Sequence, residues 1–240
     1  MGIQHEIRRI CWKMGFDVSR FDPKSHALAR RRKLLEFYAI DTVLDVGANV
    51  GQFALQMRKD LGFSGKIISF EPLSSAFEVL KINASGDPKW RVINCALGDA
   101  EAQEEIRIAK NSYSSSFLNI LQTHLDSAPE SEYIGSELTE IRTLDSMMDD
   151  LCSIEDNTYL KIDTQGFESK VIKGAEQSLD RISSIQLEMS LVPLYQDGLL
   201  FPELHSLLSG KGYALVSIEP GFSDRNSGQL LQVDGIYHRF

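Results

Sequence analysis

Short apolar runs alternate with amphipathic segments along residues 41–240. The apolar runs are rich in β-branched residues and end at turn-forming residues, which is typical of buried strands. The segments between them repeat apolar residues every three or four positions, which predicts helices. The predicted strands are Thr42–Val46, Lys66–Phe70, Trp90–Asn94, Thr158–Ile162 and Ser184–Glu188, and the predicted helices cover residues 51–61, 73–83, 168–173 and 201–209.

The order of these elements predicts the topology of the sheet. A strand followed by a helix and then by another strand forms a βαβ unit, in which the two strands lie parallel. The chain ends differently, because residues 213–218 and 230–238 predict two strands joined by a loop. The pattern therefore predicts an α/β fold with a seven-stranded, mostly parallel sheet, an antiparallel last strand and helices on both faces.

Residues 103–143 interrupt the alternation. Short strand patterns at 104–108 and 139–142 flank a long polar segment, and such a segment in a compact domain is usually functional or mobile. We therefore predict that residues 103–143 form an insertion that acts as a lid. The chain then consists of an N-terminal helical, basic extension over residues 1–40 and a main domain over residues 41–240.

Composition argues against several classes of protein. The 240 residues are 42% hydrophobic and 25% charged, which are ordinary values for a globular chain. The formal net charge of −9 argues against a general nucleic-acid-binding protein. The three cysteines form no CxxC pair, so neither a disulfide scaffold nor a cysteine zinc site is expected. The pattern predicts no signal peptide and no membrane-spanning segment, and we expect a cytoplasmic protein.

Positive charge is concentrated near the N-terminus. Residues 1–38 carry a net charge of +5, which leaves −14 for the rest of the chain, and the run Ala29–Lys33 holds much of the excess. Such a run contacts an anionic partner, for example a phosphorylated carrier or a membrane surface, or it forms a solvated helix face. The sequence leaves both interpretations open, and it leaves the oligomeric state undetermined.

The segment Asp45–Phe53 (DVGANVGQF) carries the clearest chemical signal. A strand that enters a tight glycine turn and then opens a helix is where a doubly wound sheet binds an adenosine cofactor. Glu71 ends the second strand, 20 residues after Gly51. At this spacing a carboxylate is placed to accept hydrogen bonds from both hydroxyls of a ribose.

Charge decides between the candidate cofactors. A dinucleotide needs a three-glycine loop around its pyrophosphate, and Asn49 stands where the middle glycine would be. Asp45 would add negative charge beside those phosphates, whereas S-adenosylmethionine carries positive charge and no phosphate. We therefore predict S-adenosylmethionine over NAD. The predicted cofactor-binding residues are Asp45, Gly47, Ala48, Asn49, Gly51, Phe53, Glu71, Pro72, Asn94, Ala96 and Asp163.

Five motifs carry a resemblance to a known family. They are DVGANVGQF at 45–53, FEP at 70–72, NCALGD at 94–99, TLD at 143–145 and LKIDTQGFE at 160–168. With these motifs in this order, residues 41–240 resemble the FkbM-type family of S-adenosylmethionine-dependent methyltransferases, which has a class I Rossmann-like fold.

The resemblance implies a function and a set of site residues. The implied function is O-methylation of a hydroxyl on a sugar, a glycan or another polyhydroxylated metabolite. The implied cofactor loop consists of Asp45, Gly47, Asn49 and Gly51, and the implied ribose ligand is Glu71. One position departs from the family pattern, because relatives often carry Glu where this chain has Gln165.

Methyl transfer to a hydroxyl is an in-line displacement in which a base takes the hydroxyl proton. The end of the fourth strand lies beside the first strand, so Asp163 is the predicted base, and Glu168 and Glu188 are further catalytic candidates at this edge. His124, in the insertion, is an alternative base. The three carboxylates suit a hard cation such as Mg²⁺, but we predict no metal. Lys161 shares a sheet face with Asp163, so an ion pair between them is expected.

Two other functions fit the same sheet. An NAD-dependent sugar oxidoreductase or epimerase would need a Tyr-x-x-x-Lys pair, and Tyr159 and Lys161 have the wrong spacing for one. A non-catalytic cofactor-binding scaffold would keep Asp45 and Glu71 but bind no acceptor. The sequence favours the methyltransferase and does not identify its acceptor.

Overall fold

The computed structural model describes residues 3–240, with side chains from His5 onward. The first two residues of the predicted N-terminal extension lie outside the described residues. The chain divides into two compact units, one ending at Ala39 and one covering Ile40–Phe240.

The N-terminal unit contains two helices, α1 (Ile3–Lys13) and α2 (Ala27–Phe37). The basic run lies in α2, where the Nε of Arg32 lies 2.9 Å from a carboxylate oxygen of Glu36. The Nζ of Lys33 lies 3.9 Å from the other oxygen of the same carboxylate. The charge of this run is therefore partly neutralised within its own helix.

The second unit contains most of the secondary structure. Its elements are, in chain order, β1 (Thr42–Val46), α3 (Gln52–Lys59), β2 (Lys66–Phe70), α4 (Ser74–Ala84), β3 (Trp90–Ile93), β4 (Ala96–Leu97), β5 (Ala102–Ala109), α5 (Gln122–Ser127), β6 (Tyr133–Arg142), α6 (Leu144–Leu151), β7 (Thr158–Ile162), α7 (Glu168–Lys173), β8 (Ile182–Ser190), α8 (Phe201–Gly210), β9 (Ala214–Pro220) and β10 (Gln232–His238). Two short 3₁₀ turns lie at Pro129–Ser131 and Ser178–Arg181.

Seven strands form one sheet in the order β3-β2-β1-β7-β8-β10-β9. β1 pairs in parallel with both β2 and β7, whereas β10, the last strand of the chain, is antiparallel to both of its neighbours. The predicted α/β fold is thus confirmed. Strand order reverses between β1 and β7, and in an open α/β sheet this switch point is where ligands bind, outside the carboxyl ends of the strands.

Helices cover both faces of this sheet, as the sequence predicts. On one face, apolar side chains of β1, β7 and β8 pack with those of α6, α7 and α8 in the main hydrophobic core. On the other face, the Nζ of Lys161 in β7 lies 5.6 Å from the ring centroid of Phe53 in α3. Among the helices of residues 3–240, none combines the length and the apolar character needed to cross a bilayer.

The insertion forms a second, smaller sheet with strand order β4-β6-β5. The strands predicted at 104–108 and 139–142 are present, but β5 and β6 both extend well beyond those limits. The sequence did not predict β4, α5 or α6. The role of this insertion as a lid stays a prediction.

Candidate active site

The glycine loop after β1 contains three residues with positive φ angles, Gly47, Asn49 and Gly51. Gly47 has φ +73°, and a Cβ at this position would overlap the backbone carbonyl oxygen of Asp163. Gly51 has φ +91°, and a Cβ there would lie 2.8 Å from side-chain atoms of Leu80 and Trp90. Both positions therefore need glycine for conformation and for space. The loop is held directly against the end of β7.

Every backbone N–H of this loop, from Gly47 to Gly51, already has an acceptor. The N–H groups of Gly47 and Ala48 both donate to Phe70 O, and that of Gly51 donates to Ala48 O. Val50 N–H donates to the side chain of Asn49, and Asn49 N–H donates to the Glu71 carboxylate at 2.7 Å. A dinucleotide-binding loop presents free N–H groups to the pyrophosphate. This loop presents none, and it places a carboxylate beside itself.

Glu71 joins the glycine loop to the end of β2. One carboxylate oxygen accepts from Asn49 N–H at 2.7 Å, and the other accepts from Leu73 N–H at 2.9 Å. Each oxygen keeps a second lone pair for a further donor. The side chain is 4% exposed, and burial raises the pKa of Glu71 to about 7 despite these two hydrogen bonds. Glu71 is thus held rigidly at the place where the sequence predicts a ribose ligand.

Asp45 lies beneath the loop and not on its surface. It has no exposed surface, its Oδ1 lies 3.2 Å from Lys161 Nζ, and its Oδ2 accepts from Ser69 Oγ at 3.1 Å. The predicted direct contact of Asp45 with a cofactor does not fit this position. Asp45 instead holds Lys161, which is its direct neighbour in the pairing of β1 with β7.

Lys161 links the buried Asp45 to Asp163. Its Nζ lies 3.5 Å from Asp163 Oδ2, and it also donates to the backbone oxygen of Gly47 at 3.1 Å. Burial alone lowers the pKa of Lys161, but the charges of Asp45 and Asp163 outweigh it, so the pKa lies above its ordinary value. The expected pair between Lys161 and Asp163 is therefore present, as part of a buried triad with Asp45.

Asp163 is the candidate base that remains accessible. It follows β7 directly, and its side chain is 36% exposed. Its Oδ1 accepts from Gln165 Nε2 at 2.8 Å, while Lys161 approaches Oδ2. Both oxygens of the Asp163 carboxylate are therefore held by a neighbour, and the side chain is still accessible from the crevice.

Gln165 lies at the centre of the polar network. Its Nε2 donates both to Asp163 at 2.8 Å and to Glu188 at 2.9 Å, and its Oε1 accepts from the hydroxyl of Tyr195 at 2.6 Å. The residue has φ +57°, in the left-handed region, and its backbone oxygen accepts from Ser116 Oγ. A carboxylate in place of this amide could not donate to two other carboxylates unless it were protonated.

Glu188 is the second carboxylate that accepts a hydrogen bond from Gln165. Burial raises its pKa well above the ordinary value, and the nearby charges of Asp163 and Asp234 raise it further. Its Oε2 accepts from Gln165 and from Gln232 Nε2 at 2.8 Å. Asp234 lies directly opposite Glu188 in the pairing of β10 with β8. The raised pKa favours a protonated Glu188 that donates a hydrogen bond over one that acts as a base.

Glu168 does not fit its predicted catalytic role. It is buried, and its Oε1 accepts from the backbone N–H groups of Thr164 and Gly166 and from the Thr164 hydroxyl. Burial raises the pKa of Glu168 to about 7. Glu168 has a structural role instead, because its Oε1 accepts the hydrogen bonds that fix the turn containing Asp163 and Gln165.

His124 does not fit the alternative role of base. Its ring is buried between Tyr195 and Phe222, with centroid distances of 5.2 Å to each. Burial lowers the pKa of His124 to about 4, so the imidazole is neutral and weakly basic. The sequence of the insertion is polar, so it gives no sign that α5 places the His124 side chain within an apolar cluster.

The remaining predicted cofactor residues lie around the loop at different depths. Asn94 is exposed, and its Nδ2 donates to the backbone oxygens of Glu71 and Pro72, which fixes the turn after β2. Phe53 is half-buried over Lys161. Ala96 is buried in the core of the small sheet, so its side chain is not available for the predicted contact.

The insertion contacts both halves of the site. Ser112 Oγ accepts from Asn49 Nδ2 at 3.2 Å, on the glycine loop. Ser116 Oγ donates to Gln165 O at 2.7 Å, on the turn after β7. The segment between these serines therefore lies against the crevice between β1 and β7.

Sequence reasoning missed three members of the network. Tyr195 carried no motif and reaches Gln165 from the loop after β8. Gln232 and Asp234 lie in the last strand, which the resemblance covers without assigning them a role. The antiparallel pairing of that strand with β8 is the signal that places Asp234 opposite Glu188.

Replacing Gln165 with Glu is expected to destabilise the chain by about 1–3 kcal/mol at pH 8, and by less at pH 5. The new carboxylate faces Asp163 and Glu188, so its pKa in the folded chain is raised, and the folded state loses stability as the pH rises through that pKa. Urea unfolding at the two pH values measures the difference. The exposed Gln229 replaced with Glu is the matched control, and equal, pH-independent losses in both variants would contradict the network.

Comparison with known proteins agrees with this site. The family model described as the methyltransferase FkbM domain matches residues 45–215. The crystal structure of a methyltransferase FkbM from Methylobacillus flagellatus KT superposes with a TM-score of 0.51 at 12% sequence identity, which supports the fold. The match covers 82% of this chain and 43% of that one, so this chain spans less than half of its length.

A second structural match is an rRNA methylase from Streptococcus thermophilus, with a TM-score of 0.48, 9% identity and coverage of 90% of this chain and 98% of that one. That score is too low to support a conclusion. No curated protein matches the chain. The family match spans more than half of the chain, and its range includes the glycine loop, Glu71 and Gln165 but not Gln232 or Asp234. The chain belongs to the FkbM family of methyltransferases.

Proposed function

We propose that this protein transfers a methyl group from S-adenosylmethionine to a hydroxyl of a sugar, a glycan or another polyhydroxylated metabolite. The observation that carries the proposal is the glycine loop, whose N–H groups all have internal acceptors and whose neighbour is the Glu71 carboxylate. Such a crevice suits a cationic adenosine cofactor better than a diphosphate. Methyltransferases of this family usually take the methyl group from S-adenosylmethionine.

The residues around the crevice fit this cofactor. Glu71 has a free lone pair on each oxygen for the ribose hydroxyls, and the loop Gly47–Gly51 lies at the switch point of the sheet. Asp163 follows the carboxyl end of β7, against which the glycine loop packs. When bound, S-adenosylmethionine supplies a methyl group that is attached to a positively charged sulfur. The neutral thioether left after transfer is a good leaving group.

The chain's own residues would then prepare the acceptor. Asp163 takes the proton of the acceptor hydroxyl, and Lys161 and Gln165 hold its carboxylate in place. Glu188 in its protonated form donates a hydrogen bond to a neighbouring oxygen of the acceptor. After transfer the proton resides on Asp163, which is exposed enough to release it to water.

The acceptor class rests mainly on the family. The structure adds a physical argument, because a network of amide, carboxylate and phenol groups, formed by Gln165, Glu188, Gln232 and Tyr195, lies next to Asp163. Polar groups in such a density suit an acceptor with several hydroxyls. The insertion over residues 103–143 would cover this acceptor. Two contacts support this position, one between Ser112 and Asn49 of the glycine loop and one between Ser116 and Gln165 of the turn after β7.

The methyl-transfer reaction is tested with S-adenosylmethionine labelled in its methyl group. The purified chain is incubated with free sugars, sugar nucleotides, oligosaccharides and glycolipids, and the products are identified by NMR. We expect label in a methyl ether of at least one of these acceptors. Label found only in an amine or a carboxylate, or no transfer to any acceptor although the cofactor binds, would contradict the proposal and favour a different acceptor class or a scaffold.

Replacing Glu71 with Gln is expected to weaken S-adenosylmethionine binding by at least about tenfold at pH 8. An amide cannot accept the N–H groups of Asn49 and Leu73 at both of its ends, and it lacks the charge that strengthens the ribose hydrogen bonds. In the wild type, affinity should rise from about pH 6 to about pH 8, because Glu71, with a pKa of about 7, must lose its proton to accept both hydroxyls. The variant should lose this rise.

Isothermal titration calorimetry measures both effects, with the exposed Glu78 replaced with Gln as the control. In the unliganded chain the raised pKa of Glu71 makes the stability of the fold decrease with rising pH, whereas cofactor affinity increases. The stabilisation from protonated Glu71 is complete below pH 4.5 and is lost as the pH rises through about 7. An affinity that is flat with pH in the wild type and unchanged in Glu71→Gln would remove Glu71 from the cofactor site.

A further inference from the structure

The helix α1 exposes an apolar face. Ile7 and Ile10 lie three residues apart in α1, which places them on one side of a helix with 3.6 residues per turn, and Met14 follows directly after the last helical residue, Lys13. Their side chains are 51%, 58% and 61% exposed. The other sides of the helix carry the basic residues Arg8, Arg9 and Lys13 and the acidic residue Glu6.

Exposed apolar residues continue beyond the helix. Trp12, Phe16, Val18 and Phe21 are all at least 50% exposed. No other stretch of similar length among the described residues gathers as many large exposed hydrophobic side chains. An apolar surface of this kind on a folded protein marks an interaction site.

The helix also needs a covering surface for its own stability. It has 11 residues, and an isolated helix of this length is marginal in water. Most of the stability of such a helix comes from burial of its apolar face. What covers α1 therefore has to be apolar where it meets Ile7, Ile10 and Met14.

Charge selects the kind of surface. Residues 3–21, which include α1 and the exposed apolar residues after it, hold Arg8, Arg9, Lys13 and Arg20 against Glu6 and Asp17, a net charge of +2. Two copies of this region facing each other would repel. An anionic bilayer provides both an apolar layer and a negative surface, and amphipathic helices with basic polar faces and aromatic residues bind there.

We propose that α1 and residues 14–21 bind the surface of an anionic membrane. The helix lies in the plane of the interface, its apolar face enters the boundary of the acyl chains, and Arg8, Arg9 and Lys13 remain near the lipid headgroups. The sequence pattern placed the anionic contact in the run Ala29–Lys33. The structure favours α1, because there the basic residues accompany an exposed apolar face. Ion pairing does not separate the two helices, since Arg8 pairs with Asp17 and Arg9 with Glu6, just as Arg32 and Lys33 pair with Glu36.

Vesicle sedimentation of the full chain tests this inference. The chain should sediment with vesicles of phosphatidylcholine and phosphatidylglycerol, and at least about tenfold less with phosphatidylcholine alone, and added salt should weaken the binding. The double variant Ile7→Glu/Ile10→Glu should reduce sedimentation by at least about tenfold. Val79→Glu/Ile82→Glu is the matched control, because these exposed apolar residues have the same spacing on α4.

Three outcomes would overturn the inference. The first is absence of sedimentation with anionic vesicles, and the second is equal loss of sedimentation in the α1 variant and in the α4 control. The third is a dimer in gel filtration without lipid that Ile7→Glu/Ile10→Glu dissociates, because a second copy would then cover this face. Unchanged circular dichroism of the α1 variant at temperatures below its unfolding shows that its main domain remains folded.

Discussion

Replacing Asp163 with Asn is expected to lower kcat for methyl transfer by about 10²–10⁴-fold. Asn keeps the shape of the side chain but cannot take the proton of the acceptor hydroxyl. Because Asp163 lies at the open end of β7 and is held by Lys161 and Gln165, no rearrangement is expected to replace it. Steady-state release of S-adenosylhomocysteine with a saturating acceptor measures the loss.

Cofactor affinity separates this effect from a folding defect. Calorimetry should show S-adenosylmethionine binding to Asp163→Asn within about threefold of the wild type, because the ribose ligand is Glu71. Asp60→Asn, at an exposed position of the same unit, should leave kcat unchanged. Wild-type turnover in Asp163→Asn would show that Asp163 is not the base.

Replacing Lys161 with Met is expected to lower the free energy of unfolding by about 3–5 kcal/mol. The substitution leaves Asp45 with no exposed surface and with Ser69 as its remaining donor. A buried carboxylate without its cation carries a large desolvation cost. Urea unfolding at neutral pH, followed by circular dichroism, measures the change.

A double variant tests whether the loss arises from Asp45. Adding Asp45→Asn to Lys161→Met removes the unpaired charge, so the double variant should recover much of the stability that the single variant loses. Lys81→Met is the control, since Lys81 pairs with Glu78 on the exposed surface and such pairs contribute about 0–1 kcal/mol. A loss below about 1 kcal/mol in Lys161→Met would show that Asp45 does not depend on this partner.

The central strands β1, β2 and β7 of the main sheet could be predicted because they are buried on both faces. β1, β2 and β7 begin and end where the apolar runs do. β6 is different, since only two of its ten residues are buried and its backbone pairs with β5 and β4 over a polar stretch. Its length is set by pairing with distant residues, which an apolar pattern does not record.

The helix α6 was missed although its start carries a local signal. Thr143 caps the helix by accepting from Ser146 N–H, which is the arrangement that a Thr before an apolar segment favours. The same residues, TLD, also form one of the family motifs. Thr143 as an N-cap residue is the sequence signal that indicates a helix beginning at Leu144.

The candidate site was predictable where it depends on spacing within one strand. Alternation along β7 placed Lys161 and Asp163 on one face, and the structure brings them to 3.5 Å. Two other features depend on which segments meet in the fold. They are the position of Asp45 opposite Lys161 and the contact of Tyr195 with Gln165. The same limitation explains why Asp45 was expected at the cofactor and Glu168 in catalysis, since sequence position does not show which way a carboxylate faces.

The central claim is that the crevice between β1 and β7 binds S-adenosylmethionine and not a dinucleotide. Calorimetric titration of the purified chain with S-adenosylmethionine, S-adenosylhomocysteine and NAD tests it most directly. We predict saturable binding of the first two, weakened in Glu71→Gln, and no heat of binding with NAD. Saturable binding of NAD together with no response to S-adenosylmethionine would contradict the account.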